Sequence, residues 1–348
     1  MTGTMEDLLK IFISIHLIQS VRIKNMNFNQ NQAKQWLRMG PRAMFGQFMI
    51  DIARRNKKLI VLSADLGRSS GLARFKTEFP DQYISVGISE QNLVGVAAGL
   101  ADEGFKVFVT SFAPFLSMRA SEQIRMNLGY MRQNVNLVAL GSGLSMGFLG
   151  NSHFGLEDIA IMRTIPKLNV TCPADCSELG KVLNDYAFNN RGPSYIRLTG
   201  IPGSLNLYDK NYKYRHGKNI TINKGKDVLI LSYGSVLGQI KHSIKSLHKL
   251  NIYPEVVNII SLKPLDENIN NLLKKFKKII TIEEHTSVGG LKSIIAEKLT
   301  KNKIQSDFSS ISLPDKFGPT GTYDYLLKYH GLNSKSIVKK INQFVKKK

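Results

Sequence analysis

A single carboxylate stands out in the stretch "YISVGISEQNLVGVAAGLADEG", which spans residues 83–104. An apolar pattern typical of a strand runs directly into a pattern of helical period, and Glu90 lies at the junction. A carboxylate at this position either stabilises the N-terminus of the helix or takes part in chemistry. Ser89 can also cap the helix, so the residues alone leave both roles of Glu90 open.

Other side chains able to do chemistry follow three further apolar runs. These runs end in "SADLGRSSG", "TSFAPF" and "GSGLSMGFLGNSH", which contain Ser69, Phe112, Phe115 and His153. In open α/β sheets, ligands bind at the carboxyl ends of the strands, so we expect these segments to converge with Glu90. A lone histidine or a pair of phenylalanines is more often structural, and it is their position that favours a site.

The elements that must hold these residues alternate along the chain. Strand patterns such as "LIVLSAD", "FKVFVTS" and "VNLVALGS" are each followed by a helical pattern, and the alternation resumes with "DVLILSYG" after an irregular stretch. This order predicts an α/β fold with two successive open parallel-sheet α/β domains. We predict a poorly ordered N-terminal extension over residues 1–37, a first domain over 38–200, a linker over 201–225 and a second domain over 226–348.

The composition excludes several classes of protein. Lysine and arginine number 48 against 26 acidic residues, a formal charge of +22, but the basic residues are spread out and form no arginine stripe with interleaved aromatics. We therefore expect a basic surface and no nucleic-acid partner. Two cysteines, Cys172 and Cys176, cannot build a disulfide framework, which favours a reducing, cytoplasmic setting. No apolar run is long enough to span a bilayer, so no membrane partner is expected.

The sequence also lacks the common phosphate-binding and metal-binding fingerprints. The glycines of "GSGLSMG" have the wrong spacing, and neither a Walker lysine nor a G-D-G run with a later asparagine occurs. No histidine or cysteine stands at ligand spacing from the two cysteines. We therefore expect this chain to hold no metal and to have no phosphate-gripping loop of its own.

Long ordered motifs carry a resemblance to a known family. "ISEQNLVGVAAGLADEGFKVFVTSFAPFLSMRASEQIR" resembles the pyrimidine-binding domain of the transketolase family of thiamine-diphosphate enzymes. "VLILSYGS", "SLKPLD", "TIEEHTSVGGLKSIIAE" and "LPDKFGPTGTYDYLLKYHGL" resemble the C-terminal domain of that family. The resemblance covers residues 38–345, and the family's diphosphate-binding domain has no counterpart here. The chain therefore resembles the C-terminal subunit of a split transketolase.

The resemblance implies roles for four of the residues named above. Glu90 is expected to hydrogen-bond a ring nitrogen of the aminopyrimidine of thiamine diphosphate and to share a proton with it, which favours catalysis over capping. Phe115 is expected to stack on the same ring with Phe112 beside it. His153 is expected to contact the substrate carbonyl or the alkoxide that forms from it.

The resemblance also implies a site for the sugar phosphate, formed by Arg42, Ser69 and Arg197. A guanidinium suits a phosphate because its planar fork can donate two parallel hydrogen bonds. Arg197 in "SYIRL" also fits the description of a salt-bridged strand residue, so the residues leave this second role open.

Three positions depart from the family pattern. Where the family usually reads G-E-D-G-x-T-H, this chain reads "GFLGNSH", with Phe148 and Leu149 in place of two acids. Gly141 stands where transketolases usually carry a histidine. A buried sugar hydroxyl without its partner costs about 1–3 kcal/mol, so we expect a donor or acceptor other than the ordinary pentose phosphates.

The resemblance finally implies partners and alternatives. A separate N-terminal subunit is expected to supply the diphosphate site and Mg²⁺, giving a heterotetramer or a core homodimer that uses a sugar phosphate or related keto sugar. One alternative is a subunit like 1-deoxyxylulose-5-phosphate synthase or like the beta chain of pyruvate dehydrogenase. The other is a non-catalytic scaffold, for which Phe148 and Leu149 would mark a decayed site.

Overall fold

Strands and helices alternate through the computed structural model, which describes residues 28–208 and 210–347. The strands, in chain order, are β1 (Leu59–Ser63), β2 (Tyr83–Ser85), β3 (Lys106–Phe112), β4 (Val135–Leu140), β5 (Asn169–Thr171), β6 (Ser194–Arg197), β7 (Ile220–Asn223), β8 (Val228–Ser232), β9 (Pro254–Asn258), β10 (Ser261–Lys263), β11 (Lys278–Thr286) and β12 (Asp307–Leu313). They form one sheet of order β10-β5-β6-β4-β3-β1-β2 and a second of order β12-β11-β8-β9-β7. The prediction of two successive α/β domains is confirmed.

Helices cover the faces of both sheets. They are α1 (Gln30–Ala53), α2 (Ala73–Glu78), α3 (Glu90–Asp102), α4 (Asp158–Thr164), α5 (Cys176–Phe188), α6 (Val236–Lys249), α7 (Ile269–Leu273), α8 (Leu291–Lys301), α9 (Tyr323–Tyr329) and α10 (Ser334–Lys346). Between β3 and β4 lies a π-helical segment, made of two π-helical stretches, Phe115–Arg119 and Ile124–Tyr130, around the turn Ser121–Gln123. No helix among these is long and apolar enough to cross a membrane.

Each sheet carries one antiparallel edge strand that the sequence pattern did not predict. β10 belongs to the second domain by its position in the chain, yet it pairs with β5 of the first sheet. β7 pairs antiparallel with β9 and falls inside residues 201–225, which were predicted to be a linker. Both strands are only three or four residues long, so neither offers the apolar run by which the inner strands can be recognised.

The predicted N-terminal extension is wrong for residues 28–37. Helix α1 begins at Gln30 with a capping box, in which the Asn29 side chain accepts from the Gln32 backbone N–H and Gln32 bonds back to Asn29. Phe28 is buried, and Trp36 packs between Phe28 and Phe48 with ring centroids 5.6 and 5.2 Å away. These contacts tie the start of α1 to the first domain. Residues 1–27 lie outside the described part of the chain.

A buried glutamate of the second domain holds the loop that follows β4 in the first. Glu284 on β11 accepts from the Ser235 and Tyr323 hydroxyls at 2.9 and 2.6 Å and from the Leu144 backbone N–H at 3.3 Å. A Cβ on Gly143 would lie 2.7 Å from the Glu284 carboxylate, so only glycine allows this approach. The second domain therefore fixes the position of a loop at the carboxyl edge of the first sheet.

A second buried carboxylate joins the two domains on the other side. Glu178 on α5 is fully buried and accepts from Asn258 of β9, from the Tyr212 hydroxyl and from the Ala174 backbone N–H. Burial, and then the nearby charge of Asp175, raise the pKa of Glu178 to about 7. The domain joint therefore contains an acid that changes its charge close to neutral pH.

Replacing Glu178 with glutamine should remove a pH dependence of stability. The pKa of the acid is 4.5 when unperturbed and about 7 in the fold, so the folded state binds the proton more tightly. Its contribution is complete below the lower value and is lost as the pH rises through the higher one, about 3 kcal/mol in all. We expect the free energy of unfolding, measured by urea denaturation between pH 4.5 and 7.5, to fall less steeply in Glu178→Gln. Parallel curves for the two proteins would contradict this.

Candidate active site

Glu90 is the first residue of α3, and its carboxylate is buried with 2% of the residue exposed. One carboxylate oxygen accepts from the Ser111 hydroxyl at 3.0 Å and the other from the Arg119 guanidinium at 3.0 Å. The Ser89 side chain donates to the Val86 carbonyl and makes no capping bond. Both carboxylate oxygens of Glu90 thus bond to side chains of β3 and the π-helical segment, an arrangement that differs from helix capping.

Three aromatic rings meet beside this region. Phe112, Phe115 and His153 have ring centroids 5.3–5.9 Å apart and meet edge to face. Phe112 ends β3, Phe115 begins the π-helical segment, and His153 follows a 3₁₀ turn after β4. The histidine Nδ1 lies 3.0 Å from the Ser152 hydroxyl, which leaves Nε2 as the ring nitrogen for a ligand.

Arg119 links the carboxylate to the aromatic cluster. Its guanidinium lies 4.3 Å from the centroid of Phe115 while it pairs with Glu90. Phe115 and Arg119 are the two ends of one π-helical stretch, a form of helix often found at functional sites. Arg119 was not predicted from the sequence, because nothing in its spacing distinguishes it from a surface arginine.

A cavity of about 250 Å³ opens next to the aromatic cluster. Arg42, Arg68, Ser69 and Ser145 line its polar side. Helix α1 bends at Gly40, where φ is 78°, just before the turn that carries Arg42. The predicted pair Arg42 and Ser69 is thus brought together, and Arg68 is an additional cationic side chain that the sequence pattern does not single out.

Gly141 connects the cavity with the aromatic cluster. Its φ is 68°, and a Cβ there would lie 2.4 Å from Met146 Cγ and 3.3 Å from a ring carbon of Phe112. Met146 therefore fills the space beside Gly141, so a larger residue at position 141 would displace it. Phe148 and Leu149 are 71% and 39% exposed and lie outside the lining of this cavity.

Arg197 does not join these residues, so the prediction that it binds the sugar phosphate is wrong. Its side chain is fully buried and donates from Nε to both carboxylate oxygens of Asp158, at 3.1 and 2.9 Å. Nη2 donates to the carbonyls of Gly155 and Glu284. The next residue, Leu198, lines the cavity, and successive side chains of an extended chain point to opposite faces, so Arg197 faces away from it.

The cysteines take no part in the site. Burial raises the pKa of the Cys172 thiol to about 12 and also raises that of Cys176, so neither forms a thiolate near neutral pH. Within residues 28–208 and 210–347, no cluster of three or more histidine, cysteine, aspartate or glutamate side chains could hold a metal ion.

Two family models match the chain in succession. Residues 39–200 match the pyrimidine binding domain of transketolase, and residues 217–337 match the C-terminal domain of transketolase. The first match contains Glu90, the aromatic cluster and every polar residue that lines the cavity.

Curated relatives and a solved structure match nearly the whole chain. A putative transketolase C-terminal section from Methanocaldococcus jannaschii is 36% identical over 88% of this chain and 97% of its own length. One of the subunits of an apulose-4-phosphate transketolase from Phocaeicola vulgatus is 33% identical over the same shares. A solved split-gene transketolase, described as an inactive beta4 tetramer, is 30% identical, covers 92% of this chain and 99% of its own, and superposes with a TM-score of 0.76.

Proposed function

This chain belongs to the transketolase family and corresponds to the C-terminal subunit of transketolases that are split between two chains, and we propose that with its partner it transfers a two-carbon ketol unit between sugars. The observation that carries the proposal is the buried Glu90 carboxylate, oriented by Ser111 and adjoining the cluster of Phe112, Phe115 and His153.

These side chains have the chemistry that the aminopyrimidine of thiamine diphosphate requires. Glu90 offers a carboxylate to a ring nitrogen, and Phe115 and Phe112 offer aromatic surface for stacking. The cofactor supplies the carbanion-stabilising chemistry of ketol transfer when bound. The role of Glu90 is to hold and exchange a proton at the ring nitrogen, and Ser111 fixes the direction of its carboxylate.

His153 and the cavity act on the substrate in this proposal. His153 Nε2 donates a hydrogen bond to the reacting oxygen, since Nδ1 already faces Ser152. Arg42 and Ser69 bind the anionic end of a sugar phosphate or related keto sugar in the neighbouring cavity. Met146 fills the space at Gly141, which favours a sugar other than those read by a histidine at that position.

A separate N-terminal subunit completes the site in this proposal by binding the diphosphate and Mg²⁺. Large apolar side chains near Glu90 support a partner surface, because Ile88 is 80% exposed and Tyr130 is 78% exposed. Gly95 and Gly99 of α3 have open space where a Cβ would project, so another helix can approach closely there. We propose an assembly of two copies of each chain that acts in the cytoplasm.

Reconstitution tests the proposal. The full chain is mixed with the chain that carries the diphosphate-binding domain, thiamine diphosphate and Mg²⁺, and supplied with a ketose donor and an aldose acceptor. We expect two-carbon transfer by the mixture and no turnover by either chain alone, measured as product formation. Condensation with pyruvate in place of the ketose would instead support the synthase-like or dehydrogenase-like alternative. Absence of cofactor binding by the mixture in calorimetry would support a scaffold.

A further inference from the structure

We infer that Arg68 is a specificity-determining residue, which together with Arg42 holds the tetrahedral oxyanion at the end of the substrate. The inference deepens the proposed function and rests on it for the identity of the ligand as a sugar. It assigns to Arg68 the second guanidinium contact, which the sequence pattern had given to the buried Arg197.

Both guanidinium groups are available to a ligand. Arg42 is half-buried and Arg68 is exposed, and both line the same cavity. Neither has an ion pair with a carboxylate within the part of the chain that the structure describes, whereas Arg54, Arg74 and Arg197 are all paired. Two cations on one concave surface repel each other unless an anion lies between them, so the cavity favours a ligand with negative charge.

Backbone packing fixes the two arginines relative to each other. The loop after β1 carries Arg68 and Ser69, and it ends at Gly71, where φ is 77°. A Cβ on Gly71 would lie 2.5 Å from the carbonyl oxygen of Arg42, and a Cβ on Gly46 would lie 1.9 Å from the Gly71 carbonyl oxygen. Glycine at both positions allows the loop to pack directly on α1, so the two guanidinium groups are positioned before a ligand arrives.

The rest of the cavity matches the end of a sugar chain. Ser69 and Ser145 add hydroxyl donors to the two guanidinium forks, and Met39, Met146 and Leu198 form an apolar wall. A phosphate ester and a sulfonate both present three oxygens of tetrahedral geometry, which suits two guanidinium groups and a hydroxyl. The ligand class is therefore a sugar that ends in such an oxyanion.

The full chain alone can be tested, since all of these residues belong to it. Inorganic phosphate and inorganic sulfate serve as separate probes in equilibrium binding at constant ionic strength set by NaCl. We expect saturable binding that weakens about tenfold or more in Arg68→Gln and in Arg42→Gln, with partial recovery in Arg68→Lys. Arg74→Gln, which removes an exposed arginine paired only with Glu78, is the matched control and should bind as the original chain does. Equal binding by Arg68→Gln and the original chain, or no saturable binding by the original chain, would overturn the inference.

A second measurement separates this inference from the proposed function. In the reconstituted two-chain assembly, Arg68→Gln should lower the preference for a phosphorylated ketose over its unphosphorylated analogue, measured as the ratio of the two kcat/KM values, by about tenfold or more. An unchanged ratio in an active assembly would refute the role of Arg68 alone. An assembly that transfers no ketol unit would refute the proposed function, and the anion binding of the isolated chain would still decide the role of Arg68.

Discussion

Replacing Glu90 with glutamine lowers the rate of ketol transfer by the assembled two-chain enzyme by about 10²- to 10⁴-fold, the range typical of a lost proton-transfer group. Glutamine has nearly the same shape, so the fold is retained. Its amide oxygen can accept from Arg119 while its amide nitrogen donates to the Ser111 hydroxyl, which is able to act as donor or acceptor. What the substitution removes is the ability to take up and release a proton beside the aromatic cluster.

Product formation from a ketose donor measures this loss, and two further variants make it specific. Glu122→Gln changes an exposed acid on the π-helical segment and should keep the original rate. Ser111→Ala leaves the carboxylate but removes one of its two orienting bonds, so its rate should fall less than that of Glu90→Gln. A Glu90→Gln enzyme with the original rate and an unchanged melting temperature would rule out the catalytic role.

Much of the fold and half of the site follow from patterns that are local in the sequence. The apolar runs that end in polar tips predicted the inner strands, and the convergence of their carboxyl ends placed Glu90, Phe112, Phe115 and His153 in one region. The resemblance to the transketolase family is confirmed by the relatives and the family models. These predictions succeed because strand ends in a parallel sheet share one edge whatever the details of packing.

The rest depends on contacts between distant segments. Arg119 acts through a π-helical stretch that no residue pattern announces, and Arg68 reaches the cavity only because two glycines let its loop pack on α1. The short edge strands β7 and β10 take their places by pairing across the chain, without an apolar run of their own. For Arg197, the deciding fact is its partner Asp158, which lies 39 residues earlier in the sequence.

The buried pair of Asp158 and Arg197 leads to the second large effect, which concerns stability. Both side chains are fully buried, and the Tyr195 hydroxyl also donates to Asp158 at 2.9 Å. Replacing Asp158 with asparagine leaves the Arg197 charge buried without its counter-ion, and we expect the free energy of unfolding to fall by about 3–5 kcal/mol. Chemical denaturation monitored by circular dichroism measures this loss.

The double variant Asp158→Asn/Arg197→Met provides the control, because it removes the charge that the single change leaves unpaired. Its loss should be smaller than the sum of the two single losses, since residues in direct contact are energetically coupled. Strictly additive losses would show that the ion pair does not hold the two side chains together. The same series tests the correction for Arg197 in the reconstituted enzyme. A residue that faces away from the cavity affects the assembly through its stability, so the KM for a phosphorylated donor should not rise in Arg197→Met as it does in Arg68→Gln.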